Sequence, residues 1–221
     1  MEPENQTKDH QSNEPKSMVL NAPVQAEHSE VVVRAENRRS WFKAIVGAVA
    51  TLIFFILILT YVISPTEVNG ISMQPTLKTG NIMLVFKWPQ TWARLTGSQY
   101  IPSRTSVVII AKNSVSEEQL IKRVIALPGE TVNITNNRMT VYNQNNPGGF
   151  NPDNAACCKN LLEPIGTFTT NVPDGQVFAM GDNRNPGASI DSRSSVGNIQ
   201  SSQIIGKVVM RIYPFNEIKF F

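Results

Sequence analysis

The most apolar segment of the chain covers residues 44–64. It holds 21 residues without a charged side chain, and only one glycine, two threonines and one serine interrupt it. As an α-helix rising ~1.5 Å per residue it spans ~30 Å, the thickness of the hydrocarbon core of a bilayer. It is too long for the apolar region of a signal peptide, and too many residues precede it. The pattern therefore predicts one transmembrane helix over residues 44–64; a buried core helix is the alternative.

The charges around this segment predict its orientation. Its N-terminal flank carries four basic residues, Arg34, Arg38, Arg39 and Lys43, whereas Lys78 is the only basic residue among the first twenty on the other side. Positively charged flanks stay in the cytoplasm. The chain is therefore expected to cross the cell (plasma or inner) membrane once, with residues 65–221 on the side opposite the cytoplasm. Residues 1–43 mix seven acidic and six basic residues with Asn, Gln, Ser and Pro. This composition predicts a disordered cytoplasmic tail.

The pattern after residue 64 is typical of β-strands. Seven short runs are rich in β-branched residues and bounded by Gly, Pro and Asn: residues 82–87, 106–111, 120–127, 131–134, 138–142, 176–180 and 204–213. Asn136 and Asn137 separate two of these runs and predict a tight hairpin, because Asn tolerates positive φ. No segment here has a sustained helical period, and residues 143–160 are typical of a long irregular loop. We therefore predict a mostly β domain over residues 65–221.

Composition and charge exclude several function classes. The net charge of +3, from 20 basic and 17 acidic residues without a basic run, argues against nucleic acid as a partner. Both histidines, His10 and His28, precede the apolar segment, so a His-dependent catalytic triad or zinc site is not expected. Cys157 and Cys158 are adjacent and too few for a structural zinc site. Two reduced or exposed thiols are favoured over a strained disulfide between neighbours.

The domain after residue 64 contains no histidine. If it is an enzyme, its nucleophile must be Ser, Thr, Lys or a carboxylate, and its base must be Lys or a carboxylate. Ser72 is a candidate nucleophile because it lies in a turn between Gly70 and Pro75, where backbone amides can face a developing oxyanion. Gly70 allows close approach of a ligand to the backbone, and Pro75 stiffens the turn. The alternative is an ordinary turn without chemistry.

Lys122 and Arg123 lie inside an apolar strand, on opposite faces of it. Burial disfavours the charged ammonium and lowers the pKa of a lysine, so Lys122 is a candidate general base. Arg123 stays charged and is expected to pair with a carboxylate. The alternative for Lys122 is an exposed lysine on an edge strand.

A third polar segment, residues 181–193, holds two carboxylates, two guanidinium groups and two hydroxyls. Such a segment can bond a neutral lysine through a serine hydroxyl and can supply the carboxylate for Arg123. A solvated polar loop is the alternative.

Together these segments resemble the type I signal peptidases, membrane-anchored serine proteases that remove signal peptides from exported preproteins. The family pattern is an anchor followed by Ser-Met-x-Pro-Thr-Leu, Lys-Arg, Leu-Pro-Gly, Gly-Asp-Asn-Arg and Ser-x-Asp-Ser-Arg. These blocks match, in order, residues 72–77, 122–123, 127–129, 181–184 and 189–193. The resemblance covers residues 44–221. It implies an all-β catalytic domain after the transmembrane helix, and an activity that needs no metal or other cofactor.

The resemblance also implies roles for individual residues. Ser72 is expected to be the nucleophile and Lys122 the general base, with Ser189 orienting Lys122 and with Asp191 and Arg193 bracing the site. Arg123 is a further supporting residue. Contacts with the substrate are expected from Val68, Gly70, Met73, Leu77, Leu120 and Ile121. The peptide would bind as an added strand.

The chain departs from the family pattern near Ser189. Residues 185–188 make the loop after Arg184 two residues longer than is usual in the family, and Gly70 stands where a well-known member has a serine oxyanion donor. The implied partners are preproteins with signal peptides, the lipid bilayer and the export machinery. One alternative is an inactive membrane-anchored β domain that binds preproteins or a translocation partner. A self-cleaving Ser-Lys repressor-like protease is disfavoured by the anchor.

Overall fold

A computed structural model describes residues 22–112 and 118–221, with side chains from Arg38 onward. Helix α1 covers Ala22–Tyr61, and Arg38–Tyr61 is a candidate membrane span of 24 residues. The expected apolar N-terminal helix is confirmed, although it ends at Tyr61 because β1 begins at Ile63. Residues 1–21 of the predicted tail lie outside the described part of the chain, and residues 22–43 belong to α1.

Two antiparallel sheets form most of the remaining chain. The larger sheet has eight strands in the order β1-β2-β11-β3-β4-β9-β10, with β12 beside β11, and the smaller has the order β7-β6-β5-β8. The strands are β1 Ile63–Glu67, β2 Ile82–Phe86, β3 Val107–Ala111, β4 Gln119–Ala126, β5 Thr131–Thr135, β6 Arg138–Asn143, β7 Asn146–Phe150, β8 Phe168–Asn171, β9 Gln176–Met180, β10 Ile199–Gln200, β11 Ile204–Tyr213 and β12 Lys219–Phe220.

The β architecture agrees with the sequence prediction in most respects. All seven predicted strands are present with ends within one residue, and Asn136 and Asn137 form the hairpin turn with φ of 52° and 58°. The mostly β fold is confirmed, and one α-helix, α2 over Trp88–Thr96, lies within the described part of the domain. A helix of nine residues is too short to display a sustained period. Likewise, the segment predicted as an irregular loop contains β7, which gains its structure by pairing with β6.

The position of β4 decides between the two interpretations of Lys122. This strand lies between β3 and β9, so Lys122 is on an interior strand and its side chain is only 1% exposed. The alternative of an exposed edge-strand lysine is wrong. In the first part of β4, Ile121 packs against one core cluster and Leu120 and Val124 pack against another, which separates the two faces of the strand there.

Cys157 and Cys158 form a disulfide between neighbours, so the expectation of two reduced thiols is wrong. The two residues lie in consecutive turns. The amide of Cys158 donates to the carbonyl of Ala155, and the amide of Leu161 donates to the carbonyl of Cys158, both at 2.9 Å. These turns hold the two sulfurs within bonding reach.

Candidate active site

Ser72 lies in the loop that joins β1 to β2, residues 68–81, which is called the serine loop below. Three apolar side chains of this loop, Val68, Met73 and Leu77, are buried against the larger sheet. Within the loop, the amide of Leu77 donates to the carbonyl of Met73 at 2.8 Å. Because these three side chains are packed in the core, the backbone on both sides of the half-buried Ser72 is fixed.

Lys122 reaches the serine from β4. Its Nζ donates to Ser72 Oγ at 3.0 Å and to the carbonyl of Ile121 at 2.8 Å. Burial lowers the pKa of Lys122 from 10.5 to about 8, although the charges of Asp191 and Asp182 oppose this shift. A substantial neutral fraction at neutral to mildly alkaline pH lets the amine accept a proton from a bound hydroxyl.

Arg123 forms the buried ion pair that its position in the strand predicts. Its Nε and a terminal nitrogen donate to the two carboxylate oxygens of Asp182, at 2.8 and 2.5 Å, and its other terminal nitrogen donates to the carbonyl of Thr105 at 2.8 Å. Both side chains are at most 2% exposed. The bidentate geometry fixes the start of the 181–193 segment against β4.

The backbone of the 181–193 segment packs directly on the serine loop. The amide of Asn183 donates to the carbonyl of Ser72 at 2.9 Å, and its side-chain amide donates to the carbonyl of Ile71 at 3.2 Å. Gly181 permits this approach, because a Cβ atom there would overlap with the Ser72 carbonyl oxygen and with Ser189 Oγ. Asn183 and Gly181 therefore set the position of the loop that carries Ser72.

Asp191 and Arg193 form a second buried pair in this segment. Arg193 donates from Nε and a terminal nitrogen to the carboxylate of Asp191, at 3.0 and 2.8 Å, and that carboxylate also accepts the amide of Gly181 at 3.0 Å. Burial alone would raise the pKa of Asp191, but the hydrogen bonds and the charge of Arg193, together with the Gly181 amide, hold it below its usual range. The ionised pair thus fixes the backbone of Gly181, which contacts the serine loop.

Ser189 is close to the site without bonding to Lys122. Its Oγ lies against Gly181, beside the carbonyl of Ser72, and is shielded from solvent. It makes no hydrogen bond of standard geometry to any residue within 22–112 or 118–221. The fold brings Ser189 close to Ser72. The predicted role of Ser189 in orienting Lys122 stays a prediction.

The six residues predicted to contact substrate do not share one surface. Val68, Met73 and Leu77 are buried with Ile121 in the cluster beneath the serine loop. Leu120 lies on the opposite face of β4 and packs against a different cluster. The sixth, Gly70, is exposed with φ of 109°, and the Thr79 hydroxyl bonds to both its amide and its carbonyl.

The comparisons with known proteins bear on this arrangement. The family profile described as signal peptidase, peptidase S26, matches residues 38–213. The chain belongs to this family. The signal peptidase I of Bacillus licheniformis is 31% identical over 185 residues, which cover 81% of this chain and 90% of the relative. The signal peptidase I S of Bacillus subtilis is 31% identical over 198 residues, which cover 86% and 97% of the two chains.

A solved structure is also similar to part of this member of the S26 family. The crystal structure of a signal peptidase I from Enterococcus faecalis covers 50% of this chain and 98% of its own, with 25% identity and a TM-score of 0.37. Family membership makes the protein a serine endopeptidase.

The structure of this member of the signal peptidase family adds a contact that no pattern in its sequence indicates. Asp153, from the short helical turn Pro152–Asn154, pairs with Arg184 at 2.9 Å, and the Arg184 side chain is fully buried. Burial raises the pKa of Asp153 despite this partner. The pair joins the segment after β7 to the loop that carries Ser189, across 31 positions of sequence.

The contact of Gly181 with the serine loop leads to a specific prediction. Gly181→Ala is expected to lower kcat/KM by about 10²-fold if Ser72 is the reacting group that the sequence predicts, because displacing a reacting group by an ångström has effects of that size. The control is Gly148→Ala, where an added methyl group meets open space. Steady-state cleavage and thermal unfolding of both variants provide the measurement. Equal activity of the two variants would contradict the close packing at Gly181.

Proposed function

We propose that this protein is a single-pass membrane signal peptidase that cleaves signal peptides from preproteins with a Ser72–Lys122 dyad. The observation that carries the proposal is the hydrogen bond that Lys122 Nζ, on the interior strand β4, donates to Ser72 Oγ at 3.0 Å. The depressed pKa of Lys122 supports its role as general base. The assignment as a signal peptidase rests on the family match and on relatives named signal peptidase I.

The proposed reaction is acyl transfer. Neutral Lys122 accepts the proton of the Ser72 hydroxyl as Oγ attacks the carbonyl carbon of the scissile bond. The resulting ammonium then gives that proton to the leaving amine, and an ester joins the signal peptide to Ser72. In the second half, Lys122 takes a proton from water as the water oxygen attacks the ester carbon. The Lys122 ammonium then gives that proton to Ser72 Oγ as the ester C–O bond breaks, which releases the signal peptide as a carboxylic acid and restores neutral Lys122 and the Ser72 hydroxyl.

The Ser72 amide is the proposed donor to the oxyanion. Within the described parts of the chain this N–H donates to no acceptor, so it is free to bond the negatively charged oxygen of the tetrahedral intermediate. Gly70 supplies no hydroxyl where a well-known member has a serine. The hydrogen bonds of Asn183 to the carbonyls of Ser72 and Ile71 keep the donor loop in one conformation.

The proposed domain organisation follows the sequence prediction. Residues 1–43 lie in the cytoplasm, the helix from residue 44 to Tyr61 crosses the cell membrane, and the chain from β1 onward forms the catalytic domain on the opposite side, so the span ends three residues earlier than the sequence predicts. The candidate span Arg38–Tyr61 and the basic residues before it support this arrangement. The partners are preproteins, whose signal peptides reach the site as an added strand, together with the bilayer and the export machinery.

Cleavage of a preprotein by the full chain in detergent tests this function. The resemblance to the type I signal peptidases implies small residues at the first and third positions before the cut. A preprotein with alanine at both positions should therefore be cleaved there, with the new N-terminus identified by mass spectrometry. The matched control substrate carries phenylalanine at the first position and should stay intact. Retention of the preprotein without any cleavage by a folded sample would favour the inactive binding domain instead.

A further inference from the structure

A groove of about 410 Å³ opens beside Ser189, between the smaller sheet and the 181–193 segment. A volume of this size is typical of sites that hold a ligand. Ile165 and Ile190, which line the groove, are 55% and 48% exposed, so apolar surface on both of its walls is open to a ligand. The groove is called the Ile190 groove below, and its apolar lining residues are Ile134, Ile165, Phe168, Pro186 and Ile190.

The first wall is the loop after Arg184, in which the chain is longer than the family pattern. The amide of Ala188 donates to the carbonyl of Asn185 at 3.2 Å, which closes a turn. Farther along, the hydroxyl and the amide of Ser194 donate to the carbonyl of Asp191, at 2.7 and 2.8 Å. These bonds set the shape of this wall before a ligand binds.

The second wall is the segment that leads into β8. Phe168 packs against the core of the smaller sheet, and its ring centroid lies 5.7 Å from that of Phe178. The amide of Gly166 donates to the side-chain oxygen of Asn137 at 3.2 Å. Because β8 ends the strand order β7-β6-β5-β8, one of its two edges has no strand partner within the described chain. An extended peptide can pair with such an edge.

The charges at the Ile190 groove offset one another. Among the described residues that line it, the charged ones are Asp191 and Arg193, and these two bond to each other at 3.0 and 2.8 Å. The groove therefore presents no net charge to a ligand. An uncharged, apolar side chain is the group that this lining favours.

The Ile190 groove continues into the candidate active site. Ser189 lines the groove, and one Cβ atom added at Gly181 would overlap with both Ser189 Oγ and the carbonyl oxygen of Ser72. Lys122 of β4 meets the hydroxyl of Ser72, whereas the 181–193 segment meets its carbonyl oxygen. The part of the substrate before the cleaved bond is expected at the serine loop and β4. The part after that bond then leaves along the 181–193 segment.

We infer that the Ile190 groove binds the stretch of the preprotein that follows the cleaved bond, and that it takes up an apolar side chain from the first three residues of that stretch. Three extended residues reach about 10 Å, enough to pass from Ser72 beyond Ser189 into the groove. Ile165 and Ile190 contact the bound side chain from two walls. The inference rests on the proposed function, and it adds a selection by the enzyme on the exported protein itself.

Cleavage of matched preproteins by the full chain in detergent tests the inference. Each substrate has alanine at the first and third positions before the cut, and either alanine or leucine at one of the first three positions after it. The kcat/KM with leucine should exceed that with alanine by about tenfold at one of these positions, a factor that one apolar pocket supplies. The same exchange at the second position before the cut should leave kcat/KM nearly unchanged.

A variant and its matched control assign this preference to the Ile190 groove. Ile165→Ser removes an exposed apolar side chain from the second wall, and the leucine-to-alanine ratio should fall to about twofold or less. The control is Leu162→Ser, which replaces a leucine that is 61% exposed and lies outside the groove, and its ratio should equal that of the parent. Because each ratio compares two substrates on one enzyme, a general loss of activity does not change it.

Other results would overturn the inference. Ratios near one at all three positions in the parent would show that the groove does not select the substrate. A ratio that survives Ile165→Ser, or that Leu162→Ser lowers equally, would place the preference elsewhere, as would an equal preference before the cut. A folded parent that cleaves none of the substrates would overturn the proposed function and the inference with it, whereas cleavage without a preference would overturn the inference alone.

Discussion

Ser72→Ala is expected to abolish cleavage of a preprotein while the protein remains folded. The loss in kcat should be on the order of 10⁴-fold or more, because removing the nucleophile of a covalent mechanism leaves only binding and oxyanion stabilisation. Among the residues that the structure describes, the Ser72 hydroxyl takes part in one hydrogen bond, from Lys122, whose amine also bonds to the carbonyl of Ile121. The Val68, Met73 and Leu77 anchors of the loop are untouched by the substitution.

The matched control is Ser202→Ala, which removes a hydroxyl from an exposed residue outside the site. Both variants should unfold at the temperature of the parent protein. An active-site serine reagent that forms an ester should label the parent and Ser202→Ala but not Ser72→Ala, as read by intact mass. Cleavage by Ser72→Ala within tenfold of the parent would remove Ser72 from the mechanism.

The strands were accessible from the sequence because each depends on a local pattern, whereas the pairing of Ser72 with Lys122, 50 positions apart, was implied by the resemblance to the type I signal peptidases. Residues 120–127 form an apolar run with two cations inside it, and the structure buries both cations on an interior strand. A buried arginine needs an anionic partner, which Arg123 finds in Asp182. The hairpin at Asn136 and Asn137 was also predictable from a local pattern, since asparagine tolerates the positive φ that this turn requires.

Other parts of the site depend on contacts between distant segments. Nothing near Asp153 in the sequence indicates that its partner is Arg184, because the two come together only when the segment after β7 packs on the 181–193 segment. The requirement for glycine at position 181 arises from the approach of the Ser72 carbonyl. α2 has its apolar positions on the exposed face, so its pattern does not report a core-facing helix.

Lys122→Met is expected to lower kcat/KM by about 10³-fold, because it removes the general base and keeps a side chain of similar length and volume. Met cannot accept the proton of Ser72, whose hydroxyl then attacks unaided. Replacing a buried amine with a thioether removes a desolvation penalty, so the melting temperature should be equal to that of the parent or higher. Loss of activity without loss of stability separates a chemical role from a structural one.

The pH dependence of cleavage identifies the base itself. Only neutral Lys122 can take the proton, and burial lowers its pKa to about 8. The kcat/KM of the parent should therefore rise with pH, about tenfold per unit below the pKa, and level off above about 8. The residual activity of Lys122→Met should lack this limb. A rising limb with the same midpoint in both proteins would assign the base to another group, whereas its disappearance ties the proton transfer to Lys122.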